Sequence, residues 1–382
     1  MGSVSGAQNK RQANQDAERA RRSRKERRYD LRTFQWEVSS LERCRKCGGV
    51  PMGQSVGLRM EGERAGFSGL TTCGSVWSCN VCASKIAVHR EQELFSVLQW
   101  ATEQGHTSAM LTLTASHQRW QGLEEVWDGV QRVWRRMTKG RPWRRLIDRY
   151  GLHGWARITE VTRGEQNGWH PHFHIPMVLD GNKTPATVEQ FGEEVWPLWV
   201  SALEKEGLSA MRDPGLDIRT SRDDVAEGLS KYLVKSLAIE ATHGHAKDGR
   251  SGSRTPFQIL ANVQVNGDAD DLALWHEWER VSRGRRQITW SQGLRDMAGL
   301  AEEMEDHEIA EEEIGGEDVM VFDLDTWREI APQQVGLLIA AEQFGLVGAR
   351  AWCRGRGFEW RELQGVGVPP GAPPSPGTSE AS

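Results

Sequence analysis

Trp169 to Leu179 reads WHPHFHIPMVL. His170, His172 and His174 alternate with Pro171, Phe173 and Ile175, and an apolar run follows. In a strand, side chains two apart share a face. Three imidazoles would then line one side while Phe173 and Ile175 enter the other. Neutral imidazole nitrogen is the commonest protein metal ligand, so such a row suits a divalent cation. Solvated histidines on a polar face are the plainer reading, but three at period two beside a core-quality run favour a metal.

The segment before this strand is its natural partner. GWARITEVT (Gly154 to Thr162) alternates and is β-branched, and RGEQNG supplies turn residues, which together read as a β-hairpin. If residues 164 and 168 pair across the loop, Glu160 stands opposite His172 and its carboxylate joins the histidine face. A slip of one residue would send Glu160 to the other side. In that register His172, His174 and Glu160 make a three-ligand site with positions left for water and substrate, as a working metal needs. His170 remains an alternative or additional ligand.

Two CxxC pairs lie upstream. Cys44 and Cys47 fall in RCRKCGG, and Cys79 and Cys82 in CGSVWSCNVCASK, which opens on Cys73. A CxxC knuckle places two thiolates on one tight turn, and two knuckles complete a tetrahedral zinc site with no open position. The expected ligands are Cys44, Cys47, Cys79 and Cys82, with Cys73 a possible substitute for one of them. Such a site would brace structure. Cys353, far downstream, reads as a buried structural thiol.

The 382 residues allow two or three modest domains. A charged share of 26% and a hydrophobic share of 38% describe a globular protein with polar extensions. No apolar run approaches the roughly 18 residues of a membrane span, and the N-terminus lacks the apolar core of a secretory signal. The net charge is −5, but the charges are segregated. Arg19, Arg21, Arg22, Arg24, Lys25, Arg27 and Arg28 crowd an arm with almost no large apolar residue before Leu31. That arm reads as a disordered electrostatic anchor on nucleic acid or as a solvated helix.

Helical spacing is expected over Ser84 to Trp100, Leu123 to Met137 and Glu189 to Gly207, and strands at SAMLTLTAS (Ser108 to Ser116) and Leu216 to Arg219. In DDVAEGLSKYLVKSLAI (Asp223 to Ile239), Val225, Leu229, Leu233 and Leu237 recur every four residues. Tyr232 borders that stripe, with Lys231 and Lys235 on the flank, and spacing alone leaves it a core residue. SRGRRQITWS brings Arg283, Arg285 and Arg286 before Trp290, a cluster suited to gripping phosphates and stacking a base. An acidic stretch runs from Glu302 to Asp318, helical content returns over 325–360, and a proline- and glycine-rich tail closes the chain.

Three motifs in order now match a family. MLTLT (Met110 to Thr114), WHPHFH (Trp169 to His174) and KYLVK (Lys231 to Lys235) make the chain resemble the rolling-circle plasmid replication initiators of the HUH endonuclease superfamily. The CxxC segment and GRRQITWSQGLR (Gly284 to Arg295) are similar to the type found on actinomycete plasmids. The resemblance runs from about Cys44 to Arg295. It implies that Tyr232 attacks one strand of the plasmid origin, giving a 5′-phosphotyrosine link and a free 3′ hydroxyl, with later rejoining. A phenol with pKa near 10 is a weak nucleophile, and Lys235 one helical turn along can lower that value or bind phosphate. Some relatives carry a glutamate four residues before the tyrosine. Here that position is Gly228, and Glu227 is displaced by about a hundred degrees around a helix.

The expected fold is α+β: an antiparallel five-stranded HUH palm with helices on one face, preceded by a zinc module and followed by a small helical region. The expected division is a basic disordered arm (1–35), a cysteine-rich zinc module (36–95), the endonuclease domain (96–295), an acidic linker (296–320), a helical region (321–365) and a disordered tail (366–382). Expected cofactors are Mg²⁺ or Mn²⁺ for catalysis and Zn²⁺ for structure. DNA contacts are expected at Arg283, Arg285, Arg286 and Lys231. Expected partners are origin DNA and the host helicase and polymerase, with no membrane, in the bacterial cytoplasm. An HUH relaxase or transposase is the rival within the same chemistry, and a zinc-containing DNA-binding regulator the rival outside it.

Overall fold

The histidine hairpin lies inside an antiparallel sheet. A computed structural model describes residues 3–220 and 252–363. Its strands are β1 (Ser55–Glu61), β2 (Arg64–Ser68), β3 (Thr107–Leu113), β4 (Leu152–Gly164), β5 (Gly168–Leu179), β6 (Leu216–Thr220), β7 (Ser253–Arg254), β8 (Ile288–Trp290), β9 (Glu317–Asp323) and β10 (Arg361–Glu362). The principal helices are α1 (Ser3–Val38), α2 (Asn80–Glu103), α3 (Leu123–Lys139), α4 (Arg141–Tyr150), α5 (Pro185–Lys205), α6 (Pro256–Asn266), α7 (Ala269–Ser282), α8 (Leu324–Ile330) and α9 (Gln334–Arg354). None of the described helices is long and apolar enough to cross a membrane.

The chain divides into two compact units, residues 1–46 with 72–311 and residues 47–71 with 312–382. In the first, the strand order is β6-β3-β5-β4-β7, and β8 also pairs with β4. All these pairings are antiparallel. The sheet therefore has six strands among the described residues, where five were expected. Gly164 pairs with Gly168 and Glu160 with His172, the register on which the metal reading depends. Gly168 closes the turn at φ +74°, and a Cβ there would lie 2.8 Å from the Arg119 carbonyl oxygen. Only glycine suits both demands.

Period two sends Phe173, Ile175, Met177 and Leu179 into one core with Leu111 and Leu113 of β3. Val126, Val130, Val133 and Trp134 of α3, Trp143 and Leu146 of α4, and Phe191, Val195 and Trp199 of α5 complete it. Helices also cover the opposite face, which corrects the expectation of helices on one side. Leu94 and Leu98 of α2 pack on Met110, Ala156, Ile158 and Ile288, while Val97 and Ala101 meet Val178. The reason is visible in the strands: Met110, Ile158 and Val178 give the histidine face its own apolar surface, which needs a cover.

The arm expected to lack order belongs to α1. Arg22 and Glu26 pair one turn apart at 3.1 Å, and Leu31, Arg32 and Gln35 are buried. Gln35 donates to the Ser78 carbonyl, and Asn80 donates to the Arg28 carbonyl at 2.8 Å. Docking of its C-terminal turns supplies what local composition lacks.

The second unit is also not as the sequence divided it. β1, from the expected zinc module, pairs with β2 and with β9, which straddles the expected linker and the expected helical region, in a sheet of order β10-β9-β1-β2. Phe322 of β9 and Trp327 of α8 are fully buried. Segments about 250 residues apart in sequence pair here, which no local pattern reveals.

Candidate metal centre and its surroundings

Glu160, His172 and His174 bring one ligand atom each to within 4.8 Å of the others. The Glu160 Oε2 atom is 3.0 Å from His172 Nε2 and 2.7 Å from His174 Nε2. His172 Nδ1 faces the His170 carbonyl oxygen at 3.3 Å, and as a carbonyl only accepts, that nitrogen carries the hydrogen. His174 Nδ1 lies 3.1 Å from the Thr112 hydroxyl on the neighbouring strand. The Nε2 atoms are thus left to face an acceptor-only carboxylate, an arrangement that calls for a cation between them, a proton or a metal ion. Such outer partners orient metal-binding imidazoles generally.

The electrostatics agree with that demand. Burial opposes ionisation of Glu160, but the charge and hydrogen bonds of His172 and His174 hold its pKa well below the usual carboxylate range. Burial likewise opposes protonation of His172, yet the Glu160 carboxylate and the His170 carbonyl leave its pKa above the ordinary imidazole value. A donor set of two imidazoles and a carboxylate fits a divalent ion.

His170 is not in this group. Its Nδ1 lies 2.8 Å from His117 Nε2, and its ring stacks on His172 with centroids 5.2 Å apart. Burial, then the neighbouring His172 and His117, push its pKa down to about 3, so the ring is neutral. Thr112 and His117 were not singled out in the sequence. Thr112 falls within MLTLT, and period two places it on the face shared with His174, opposite it in the ladder.

Among the cysteines, Cys73, Cys79 and Cys82 of the first unit hold their sulfurs within 4.8 Å of one another, with Cys73 and Cys82 3.6 Å apart. All are buried. Cys79 and Cys82 sit at the N-terminus of α2. Cys44, the expected ligand in the same unit, lies outside the group, and Cys73, the substitute, lies inside it. Cys44 is held in the helical turn Glu42–Lys46, whereas Cys73 lies on the irregular segment entering α2.

The three arginines of the basic cluster are not equivalent. Arg285 Nη1 binds Asp128 at 2.6 Å, its Nε donates to the Val281 carbonyl, and the guanidinium lies 4.8 Å from the Trp127 ring centre. Arg283 and Arg286 are exposed, and Arg286 pairs with Glu305 at 2.8 Å. Trp290 packs beside the α2 core under Arg295, rather than standing free to stack a base. Tyr232, Lys231 and Lys235 lie outside the described residues.

Comparison with known proteins places this geometry in context. A family described as "Replication protein" (Rep_1) matches residues 69–334. A "Protein rep" of Streptomyces lividans is 32% identical over 298 residues, covering 61% of this chain and 64% of that protein. A "Protein rep" of Lentilactobacillus hilgardii is 22% identical over 56% of this chain and 61% of its own length. A "Neomycin resistance protein" of Streptomyces cyanogenus is 31% identical over 30% of this chain and 32% of its own length. The chain thus spans somewhat under two thirds of the length of the two rep proteins and about a third of the other relative. No solved structure matches it. The matched segment covers most of the chain, including both cysteines at the start of α2 and the whole histidine hairpin, and the chain belongs to the Rep_1 family of replication proteins.

Proposed function

We propose that this chain initiates rolling-circle replication of a plasmid by nicking one strand of the origin in a metal-dependent, site-specific reaction. The observation that carries the reading is the convergence of Glu160, His172 and His174 on one sheet face, in a member of a replication-protein family.

In this reading Glu160, His172 and His174 hold Mg²⁺ or Mn²⁺, and the bound ion supplies polarisation of the scissile phosphate and stabilisation of charge on its oxygens. Imidazole–carboxylate sets accept several divalent ions, and availability selects among them. Thr112 and the His170 carbonyl fix the two rings. Tyr232 is the nucleophile: its phenolic oxygen forms a bond to phosphorus as the bond to the 3′ oxygen breaks, and the 3′ oxygen ends as a hydroxyl. Lys235 assists loss of the phenolic proton. The phosphotyrosine bond conserves the energy of the broken linkage, so the strand can be rejoined. Arg283, Arg286, Lys231 and the basic turns of α1 hold the DNA backbone, which host helicase and polymerase then use in the cytoplasm.

We also assign a structural Zn²⁺ to Cys73, Cys79 and Cys82, which group within the first unit; three thiols leave a tetrahedral ion one ligand short.

Incubation with single-stranded origin DNA and a divalent ion tests the nickase reading. The expected product is a covalent protein–DNA adduct that is absent from Tyr232→Phe. An adduct in that variant would overturn the nucleophile. If the wild type forms no adduct with any divalent ion, the regulator reading replaces this one. Relaxases and transposases give the same adduct, and a hairpin origin beside the coding sequence separates replication from both.

A further inference from the structure

A second group of metal-ligating side chains lies on the same sheet and is unused by the proposed reaction. His106 immediately precedes β3, His153 lies near the start of β4, and Asp180 follows β5. One ligand atom from each comes within 4.8 Å of the others. Asp180 Oδ1 is 3.5 Å from His106 Nδ1 and 3.4 Å from His153 Nε2. The Gly181 N–H donates to His106 Nδ1 at 3.2 Å, a bond that a cation on that nitrogen would displace. The six residue steps from His174 to Asp180 span about 20 Å of extended chain, so the two groups cannot share an ion.

Two observations point to a ligand. The first is a bulge. Leu152 pairs with Leu179 and Gly154 with Val178, leaving His153 as the extra residue. Bulges re-aim side chains, and this one brings His153 against His106, with ring centroids 4.2 Å apart. The second is the rigidity of the frame. Asp180 N–H donates to the Gly151 carbonyl at 2.7 Å, and Thr107 Oγ1 donates to the Gly181 carbonyl and accepts from Lys183 N–H. A Cβ on Gly151 would lie 2.5 Å from the Asp180 Cβ, so glycine there permits the approach. Asp180 is exposed, so an ion can enter from solvent.

We propose that His106, His153 and Asp180 form a second cation site, selective for a borderline divalent ion of the Zn²⁺ class, that ties together the ends of β3, β4 and β5. Two imidazoles with one carboxylate favour such ions over Mg²⁺. The fourth position is left to water.

Full-length protein stripped of weakly bound metal, titrated with Co²⁺ and followed by elemental analysis and visible absorption, tests the site. His153→Gln and Asp180→Asn should each lose one equivalent of Co²⁺ or bind it at least ~10-fold more weakly. Each should also lose part of the metal-induced rise in Tm. His172→Gln should lose a different equivalent, and His153→Gln with His172→Gln should lose both, which separates this site from the proposed catalytic one. If His153→Gln does not fold, Asp180→Asn decides alone, since it changes an exposed side chain without altering its shape. An unchanged Co²⁺ count and affinity in Asp180→Asn would overturn the proposal.

Discussion

Thr112→Val is the most direct perturbation of the proposed catalytic centre that leaves its ligands in place. Threonine and valine have nearly the same shape, and both are β-branched, so the place of β3 between β5 and β6 should survive. What disappears is the hydroxyl 3.1 Å from His174 Nδ1. The His174 ring is buried, and the Thr112 hydroxyl lies within hydrogen-bond reach of its Nδ1. Its loss removes one restraint on the ring, a hydrogen bond that contributes about 0.5–1.5 kcal/mol. Outer partners of metal-binding imidazoles typically contribute 10- to 100-fold in affinity, or about 1.4–2.7 kcal/mol at about 1.36 kcal/mol per tenfold. Covalent adduct formation measured against Mn²⁺ concentration should therefore shift its midpoint about 10- to 100-fold upward, with the saturating rate nearly unchanged. Tm without metal serves as the folding control. An unchanged midpoint in a normally folded variant would show that Thr112 does not position His174, and that the reasoning from this contact is wrong.

Other outcomes follow from the same geometry. Glu160→Gln should weaken Mn²⁺ binding by more than the roughly 100-fold of an outer partner, whereas His170→Gln should change it less than about tenfold; equal effects would restore His170 as a ligand. Cys73→Ser should release one zinc equivalent and lower Tm sharply, since structural zinc contributes on the order of 10 kcal/mol to folding, while Cys44→Ser should retain its zinc by elemental analysis. Arg285→Ala should lower unfolding free energy by about 1–2 kcal/mol through Asp128 and Trp127. Arg283→Ala should instead leave stability alone and reduce the salt slope of DNA binding by about 0.7–0.9. Tyr150, buried and donating to Glu194 at 2.8 Å, has its pKa pushed up to about 12 by burial first and that carboxylate second. A raised pKa means stability fully present below the unfolded value near 10 and lost as pH rises from about 10 towards 12. Urea midpoints across that range should fall, and should fall less in Glu194→Gln.

The sequence by itself determined the parts of this protein that are local. WHPHFHIPMVL alternates with period two, so its two faces are legible in the residues alone, and the short RGEQNG turn sets Glu160 opposite His172. Register in a hairpin is fixed by turn length and by the penalty for turning a core face outward, and both are written within about twenty-five residues. The tertiary structure decided whatever joins distant segments. It chose Glu160 over His170 for the group, because His170 found His117. It drew Cys73 in and left Cys44 out, and it engaged Arg285 with Asp128 and Trp127. It paired β1 with β9, so the end of the expected linker and the start of the expected helical region form one strand of the second unit. It also assembled His106, His153 and Asp180, residues with no common motif, through a single-residue bulge and the shared end of three strands. Contacts of that kind depend on loop closure and on the packing of whole elements, and one-dimensional spacing does not encode them.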